Sequence, residues 1–309
     1  MIIYDITNNF KRVDRWELDS GQFWIILDEE ELKDFNIIFS EESIKESRDF
    51  NQYPKIDYYK NYFFMTINEL ERKNNEIHSK EINIYLGMNF IIIVRKEKIN
   101  IVKDLIEDIK NNRNSLILKS KKQVGVILYY ILDRIIINNY NLISELEAYA
   151  DKIEIEVLKS PKAKQINDLV RIRREAYKLR KLLNPLRYIG DSLIVNENNI
   201  INKEQIKLFK NINNKIEKLM IALDNLNQDI GMVREAYEAE IANKTNELMK
   251  AFTIITAIFL PLELITAIFS LSFEHMPLKG EQFAFYGLIC FMIIIVIGML
   301  MFFKRKKML

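Results

Sequence analysis

The chain has 309 residues, which allows one to three domains, and its 45 basic and 43 acidic residues leave a net charge of +2. That balance gives no electrostatic footprint for nucleic acid or an acidic substrate, so no nucleic-acid partner is expected. One cysteine, Cys290, excludes an internal disulfide and a multi-cysteine metal site, and the two histidines, His78 and His275, are too distant in sequence to read as a metal pair.

Eight glycines and five prolines favour long uninterrupted helices over a turn-rich β fold. The N-terminal stretch holds no apolar run long enough for a signal peptide. Residues 1–120 mix strand and helix signals. "GQFWIIL" (21–27) and "NYFFMTI" (61–67) read as strands, rich in aromatic and β-branched residues. "EINIYLGMNFIIIVRKEK" (81–98) reads as two strands meeting at Gly87. Gly87 and Asn89 tolerate positive φ, so a turn is expected there, with Met88 as a turn or core side chain.

From about Lys121 the period becomes helical. Residues 124–158 read as one long helix, broken at "KSPKAKQ", where Pro161 is available to start the next. Residues 166–190 return as a second helix, interrupted near Pro185, which makes an antiparallel hairpin. A third helix starts near Asn202. Its apolar side chains Ile206, Phe209, Ile212, Ile216, Leu219, Leu223, Leu226, Ile230, Val233, Tyr237 and Ile241 alternate steps of three and four, as in a coiled-coil seam. Nothing breaks the pattern before the first long apolar segment, so one helix is expected from about 202 to 272, roughly 105 Å long at 1.5 Å per residue.

"AFTIITAIFLPLELITAIFSLS" (251–272) carries one charge, Glu263, and "FAFYGLICFMIIIVIGMLMFF" (283–303) carries none. A bilayer core needs about 20 apolar residues as helix, and length and charge weigh against two buried helices of a soluble protein. The short loop 273–282 holds one lysine, whereas "KRKK" (304–307) follows the second segment. The positive-inside rule then puts both termini in the cytosol of a multi-pass protein of the plasma or inner membrane, in contact with lipid. A single span cannot enclose a pore. A seam that needs partners, ending in such a span, implies a symmetric oligomer.

"NKTNELMKAFTIITAIFLPLELITAIFSLSFEHMP" (243–277) resembles the stalk end, pore helix and outer-loop start of the CorA family of magnesium channels. The Asn-Lys-Thr-Asn run, Met249 and "IFLPL" are the close matches. "QYPKIDYYKNYFFM" (52–65) resembles a cytosolic stretch of the family, and the terminal "FFKRKK" fits as well. The resemblance implies an α+β cytosolic domain followed by long helices and a two-helix transmembrane hairpin, assembled as a funnel-shaped homopentamer. It implies the following division: 1–120 cytosolic α/β domain, 121–200 helical hairpin, 201–250 stalk, 251–272 pore-lining helix, 273–282 extracellular loop, 283–303 second transmembrane helix and 304–309 basic tail. No cofactor and no enzymatic activity are implied, and no phosphate loop, nucleophile arrangement or paired catalytic acids occur in the sequence.

The departures from the family matter most. Its Gly-Met-Asn signature, at the outer end of the pore helix, falls here on Ser270-Leu271-Ser272. Its Met-Pro-Glu reads Met276-Pro277-Leu278. The Gly-Met-Asn at 87–89 stands roughly 160 residues before the first span and reads as coincidental turn chemistry. Carried over residue by residue, the pore stripe is Asn246, Met249, Phe252, Thr256, Leu260, Glu263, Ala267, Ser270 and Ser272. Met249, Phe252 and Leu260 are its apolar constrictions, and Glu235 lines the inner mouth or is a solvated helix residue. Glu263 replaces a small polar residue, often threonine. A carboxylate at that depth costs about 2.5–3.5 kcal/mol on insertion scales, so it should face water or a partner. Five copies make a carboxylate ring; the alternative is a protonated Glu263 between packed helices. Glu263 and Asn246 are the expected cation ligands. Asn211 stands about where the family has a sensing carboxylate, which leaves regulation by cytosolic Mg²⁺ without a ligand set. Three functions stay open: a divalent cation channel for Mg²⁺, with Co²⁺ or Ni²⁺; a Zn²⁺ or less selective cation channel; and a non-conducting scaffold or sensor of the same fold.

Overall fold

The computed structural model describes residues 1–18, 21–49, 53–74, 76–271 and 282–306. Seven strands form one sheet: β1 (Ile2–Asp5), β2 (Lys11–Val13), β3 (Phe23–Asp28), β4 (Lys55–Tyr58), β5 (Tyr62–Lys73), β6 (Glu76–Gly87) and β7 (Phe90–Arg95). Their order is β2-β1-β3-β7-β6-β5-β4. Every pairing is antiparallel except β3 with β7, which run parallel from Phe23 opposite Phe90 to Asp28 opposite Arg95. Those two central strands are the unbroken apolar runs of the sequence, as expected of strands covered on both faces. Phe23, Ile25, Leu27, Phe90, Ile92 and Val94 pack on one face with Leu32 and Phe35 of a 3-10 helix (Glu29–Phe35) and Ile44 of α1 (Glu41–Arg48). Trp24, Ile26, Ile91 and Ile93 alternate to the other face and are equally buried. The small helices and strands β1, β2 and β4 carry short, mixed patterns that the sequence reading did not pick out.

The β6–β7 turn forms where the sequence places it, but for a different reason. Neither Gly87 nor Asn89 has positive φ. Gly87 is small because a Cβ there would sit 2.4 Å from the Phe90 ring. Asn89 ties loops together: its Nδ2 donates to the Leu18 carbonyl at 3.2 Å and its Oδ1 accepts from Gln22 Nε2 at 2.9 Å. Met88 is exposed.

Among the described residues seven helices follow β7: α2 (Asn100–Lys110), α3 (Leu116–Ser120), α4 (Val124–Lys159), α5 (Ala163–Leu183), α6 (Pro185–Val195), α7 (Lys203–Ser270) and α8 (Gln282–Arg305). The N-cap residue of α2, Ile99, has no side-chain acceptor. Buried Glu69 of β5 supplies it, accepting from the amides of Asn100 at 3.0 Å and Ile101 at 3.1 Å. The expected second helix is two. Asn184 ends α5, and Pro185 opens α6 at the position where its missing amide costs nothing.

The chain divides into two compact units, Met1–Glu156 with Lys162–Arg234, and Val157–Pro161 with Glu235–Leu309. In the first, the expected seam of α7 is already covered. Phe209, Ile212, Ile216, Leu219, Leu223, Leu226, Ile230 and Val233 are all buried within the single chain. Lys215 pairs with Asp133 of α4, Arg180 of α5 with Asp224, and Arg187 of α6 with Glu217. These pairs set α5 and α6 antiparallel to α7. The inference that this seam requires other copies of the chain is therefore corrected. Its own helices fill it from Phe209 to Val233; Ile206 and Tyr237 at its ends are half-buried and Ile241 is exposed.

Candidate ion pathway

The C-terminal part of α7 and α8 (Gln282–Arg305) are both long and apolar enough to cross a membrane. α7 continues through Pro261, which has no amide to donate to the Ala257 carbonyl one turn earlier. Three hydroxyls of this segment turn back on their own helix. Thr253 donates to the Met249 carbonyl at 2.8 Å, Thr266 to Glu263 at 2.9 Å and Ser270 to Ala267 at 2.7 Å. A hydroxyl so satisfied keeps its oxygen lone pairs for water or a cation.

Covered and open residues of the segment fall on different faces. Ile254 is buried, and Ala257, Ile258, Pro261, Leu262 and Ile265 are half-buried. Spacings of three and four put them on one side of the helix. Asn246, Met249, Phe252, Thr256, Leu260, Glu263, Ala267 and Ser270 are all exposed in the single chain. At about 100° per residue their stripe centres on the opposite side. Glu263 therefore points away from the face this chain covers with its own side chains. Ser272 lies outside the described residues, as do Met276, Pro277 and Leu278.

Residues 241–250, which include Asn246, are exposed throughout, with Ile241, Leu248 and Met249 adding apolar surface. Glu235 is exposed as well. Among the described residues, no group of three or more His, Cys, Asp or Glu is placed to hold a metal ion. One chain offers a single carboxylate at the level of Glu263, so a multi-oxygen site there needs several copies.

One charged cluster escaped the sequence reading. Glu147 and Asp151 of α4 face Asp229 of α7, and burial first, then those two negative neighbours, raises the Glu147 carboxyl above its ordinary range. The four-residue step between Glu147 and Asp151 is visible in the sequence. Their apposition to Asp229 depends on how α4 and α7 pack.

Comparison with known proteins places these features in a family. The profile described as CorA-like Mg2+ transporter protein matches residues 22–305. The cobalt/magnesium transport protein CorA of Thermotoga maritima is 28% identical over 260 residues, 83% of this chain and 73% of that protein. The putative metal ion transporter YfjQ of Bacillus subtilis is 24% identical, covering 82% and 78%. Among solved structures, the complete CorA magnesium transporter of Methanocaldococcus jannaschii superposes with a TM-score of 0.84 at 19% identity, covering 98% of this chain and 97% of that one. Full-length CmaX gives 0.75 at 19% identity, covering 98% and 96%. With its profile matched over nearly the whole length and its fold shared end to end, the chain belongs to the CorA-like family of Mg²⁺ transporters, membrane proteins that move divalent metal ions and are not enzymes.

Proposed function

We propose that the protein conducts divalent metal cations, with Mg²⁺ the first candidate, along a pore lined by α7 at the axis of a homopentamer. The observation that carries this reading is the open stripe of α7, which holds the only charge of a long apolar segment, Glu263, on the side away from the chain's own packing. A carboxylate at that depth is tolerated where it meets water, a cation or a partner. Five such groups around an axis supply the oxygen ligands that one chain lacks. The exposed apolar side chains of 241–250 add surface for neighbouring copies to cover.

On this reading the chain before the first span and the basic stretch after α8 stand in the cytosol, and the short connection between the two spans lies outside. The charge asymmetry of the loop and tail supports that orientation. Asn246 holds ions at the inner entrance, below which Glu235 lines the mouth. Met249, Phe252 and Leu260 are apolar constrictions that gate by dewetting, and Glu263 attracts the cation by direct charge. Mg²⁺ gives up its waters reluctantly, so the polar positions Thr256, Ser270 and Ser272 meet a largely hydrated ion. The cation is cargo; no resident cofactor is involved.

Serines at the outer end favour one second reading, a pore less selective than its relatives or one that passes Zn²⁺. Hydroxyls are short and bring no amide carbonyl to the ion. Uptake by proteoliposomes of Mg²⁺, Co²⁺, Ni²⁺, Zn²⁺ and Na⁺ separates the readings. Divalent uptake well above Na⁺ is expected. Na⁺ uptake at or above the divalent rate would leave the divalent reading without support, and no uptake by an assembled oligomer would favour a scaffold.

A further inference from the structure

A cavity of about 550 Å³ in the sheet-bearing unit, far in sequence from the ion pathway, is lined by the tip of the β1–β2 hairpin, the C-terminal end of α2, the loop after it, α3 and the segment leading to α4. Three lysines meet there, Lys110, Lys119 and Lys122, and no carboxylate is among the described lining residues. In a chain with nearly equal numbers of acids and bases, three lysines lining one cavity with no carboxylate beside them is a departure; Lys110 and Lys119 are exposed and Lys122 is half-buried. Lys110 and Lys119 make no ion pair among the described residues, whereas Lys122 donates to the Thr7 carbonyl at 3.1 Å and to Asn9 Oδ1 at 2.7 Å, both neutral. A lysine near the end of α2 also suits the helix dipole. That accounts for Lys110 alone and not for the convergence of three.

The hairpin tip adds a second observation. Lys11 N bonds to the Asn8 carbonyl at 3.1 Å, closing a tight turn whose central residues, Asn9 and Phe10, have φ of 52° and 58°. Both central residues of this mirror-image turn are left-handed, and the favoured pair is Asn-Gly. Here a phenylalanine stands where glycine fits best, and it lines the cavity. Phe10 is the one residue other than asparagine that takes a left-handed φ among the described non-glycine residues, and such strain clusters at functional sites.

We propose that this cavity binds a nucleotide-like organic phosphate, with Lys110, Lys119 and Lys122 holding the phosphoryl oxygens and Phe10 covering the ring system. The volume lies in the range of small-molecule sites. Point-charge lysines suit a phosphate chain, and an aromatic face suits any base.

The test uses the full-length protein in detergent, titrated calorimetrically in Mg²⁺-free buffer with ATP, ADP, pyrophosphate and adenosine. ATP and ADP are expected to saturate at one per chain, and adenosine is expected not to bind. The Lys110→Ala/Lys119→Ala double variant, which leaves the Lys122 bonds intact, should weaken ATP binding by about tenfold or more. Phe10→Gly should weaken ATP several-fold and pyrophosphate little, while the protein melts at the same temperature or higher because the turn is relaxed. A residue with only a structural role would not separate affinity from melting in that way. Absence of saturable ATP binding, an unchanged affinity in the double variant, or pyrophosphate binding as tightly as ATP would each overturn the proposal.

Discussion

Gly87 and Asn89 belong to a three-letter motif that means ion selection in one place and packing in another. Gly87→Ala puts a methyl group against the ring of Phe90, which is itself buried and lies edge-on to Trp16 at 5.8 Å. The ring has little room to retreat, so a loss of about 1–3 kcal/mol is expected in denaturant titrations followed by tryptophan fluorescence. Asn89→Asp removes the donor to the Leu18 carbonyl and points a charged oxygen at it. The bond is exposed, so the change should cost about 1 kcal/mol at most and leave cation flux per assembled oligomer unchanged. Flux abolished in a correctly assembled Asn89→Asp protein would restore a transport role to that asparagine. Glu69 gives a pH signature. Burial raises its carboxyl above the ordinary value of 4.5, although the two amides of α2 oppose the shift. The stability it contributes is present below that value and is lost as pH rises through the raised folded value. Wild type should therefore lose stability relative to Glu69→Gln as pH climbs from about 4 towards neutrality. A difference that is flat across this range would show that the cap is already fully ionised there.

At the scale of elements, α7 is one helix with two kinds of surface. Between Phe209 and Val233 its apolar residues are buried in the chain's own helical layer; beyond Ile241 its side chains are mostly open. Phe209→Ala should thus destabilise the fold by about 3–5 kcal/mol. Leu260→Ala should leave melting of the cytosolic unit unchanged and raise flux by widening an apolar constriction; an early-melting Leu260→Ala protein would place that side chain in a packed core. The three- and four-residue period of this helix is fully legible in the sequence, and so is its length to within two residues of the described end. What the period cannot tell is whose side chains fill the seam, since a partner copy and a neighbouring helix of the same chain bury the same stripe. The strands divided likewise. β3, β7 and the apolar halves of β5 and β6 could be read directly, whereas the polar far end of the β5–β6 hairpin, residues 68–73 and 76–80, could not. β1, β2 and β4 have three or four residues each, and their pairing partners decide them. The cap from Glu69 to α2 and the trio of Glu147, Asp151 and Asp229 depend on tertiary packing and leave no local signal.

For the whole molecule, the exposed face of α7 and the lone carboxylate on it make a working pore depend on assembly. Native mass measurement in detergent should find five copies of the 36.8 kDa chain; a monomer or dimer would remove the central axis on which the ion pathway rests. In the proposed pentamer, five Glu263 carboxylates around the axis repel one another. A divalent ion among them relieves that repulsion, so removing the charge should weaken the pore's hold on the cation. Glu263→Gln keeps the size and removes the charge. The deciding measurement is Mg²⁺ flux into proteoliposomes against Mg²⁺ concentration, for wild type and Glu263→Gln at equal protein density. The variant is expected to need a higher Mg²⁺ concentration for half-maximal flux, with its pentamer intact. Identical curves for the two proteins would mean that Glu263 never meets the ion, and would contradict the account.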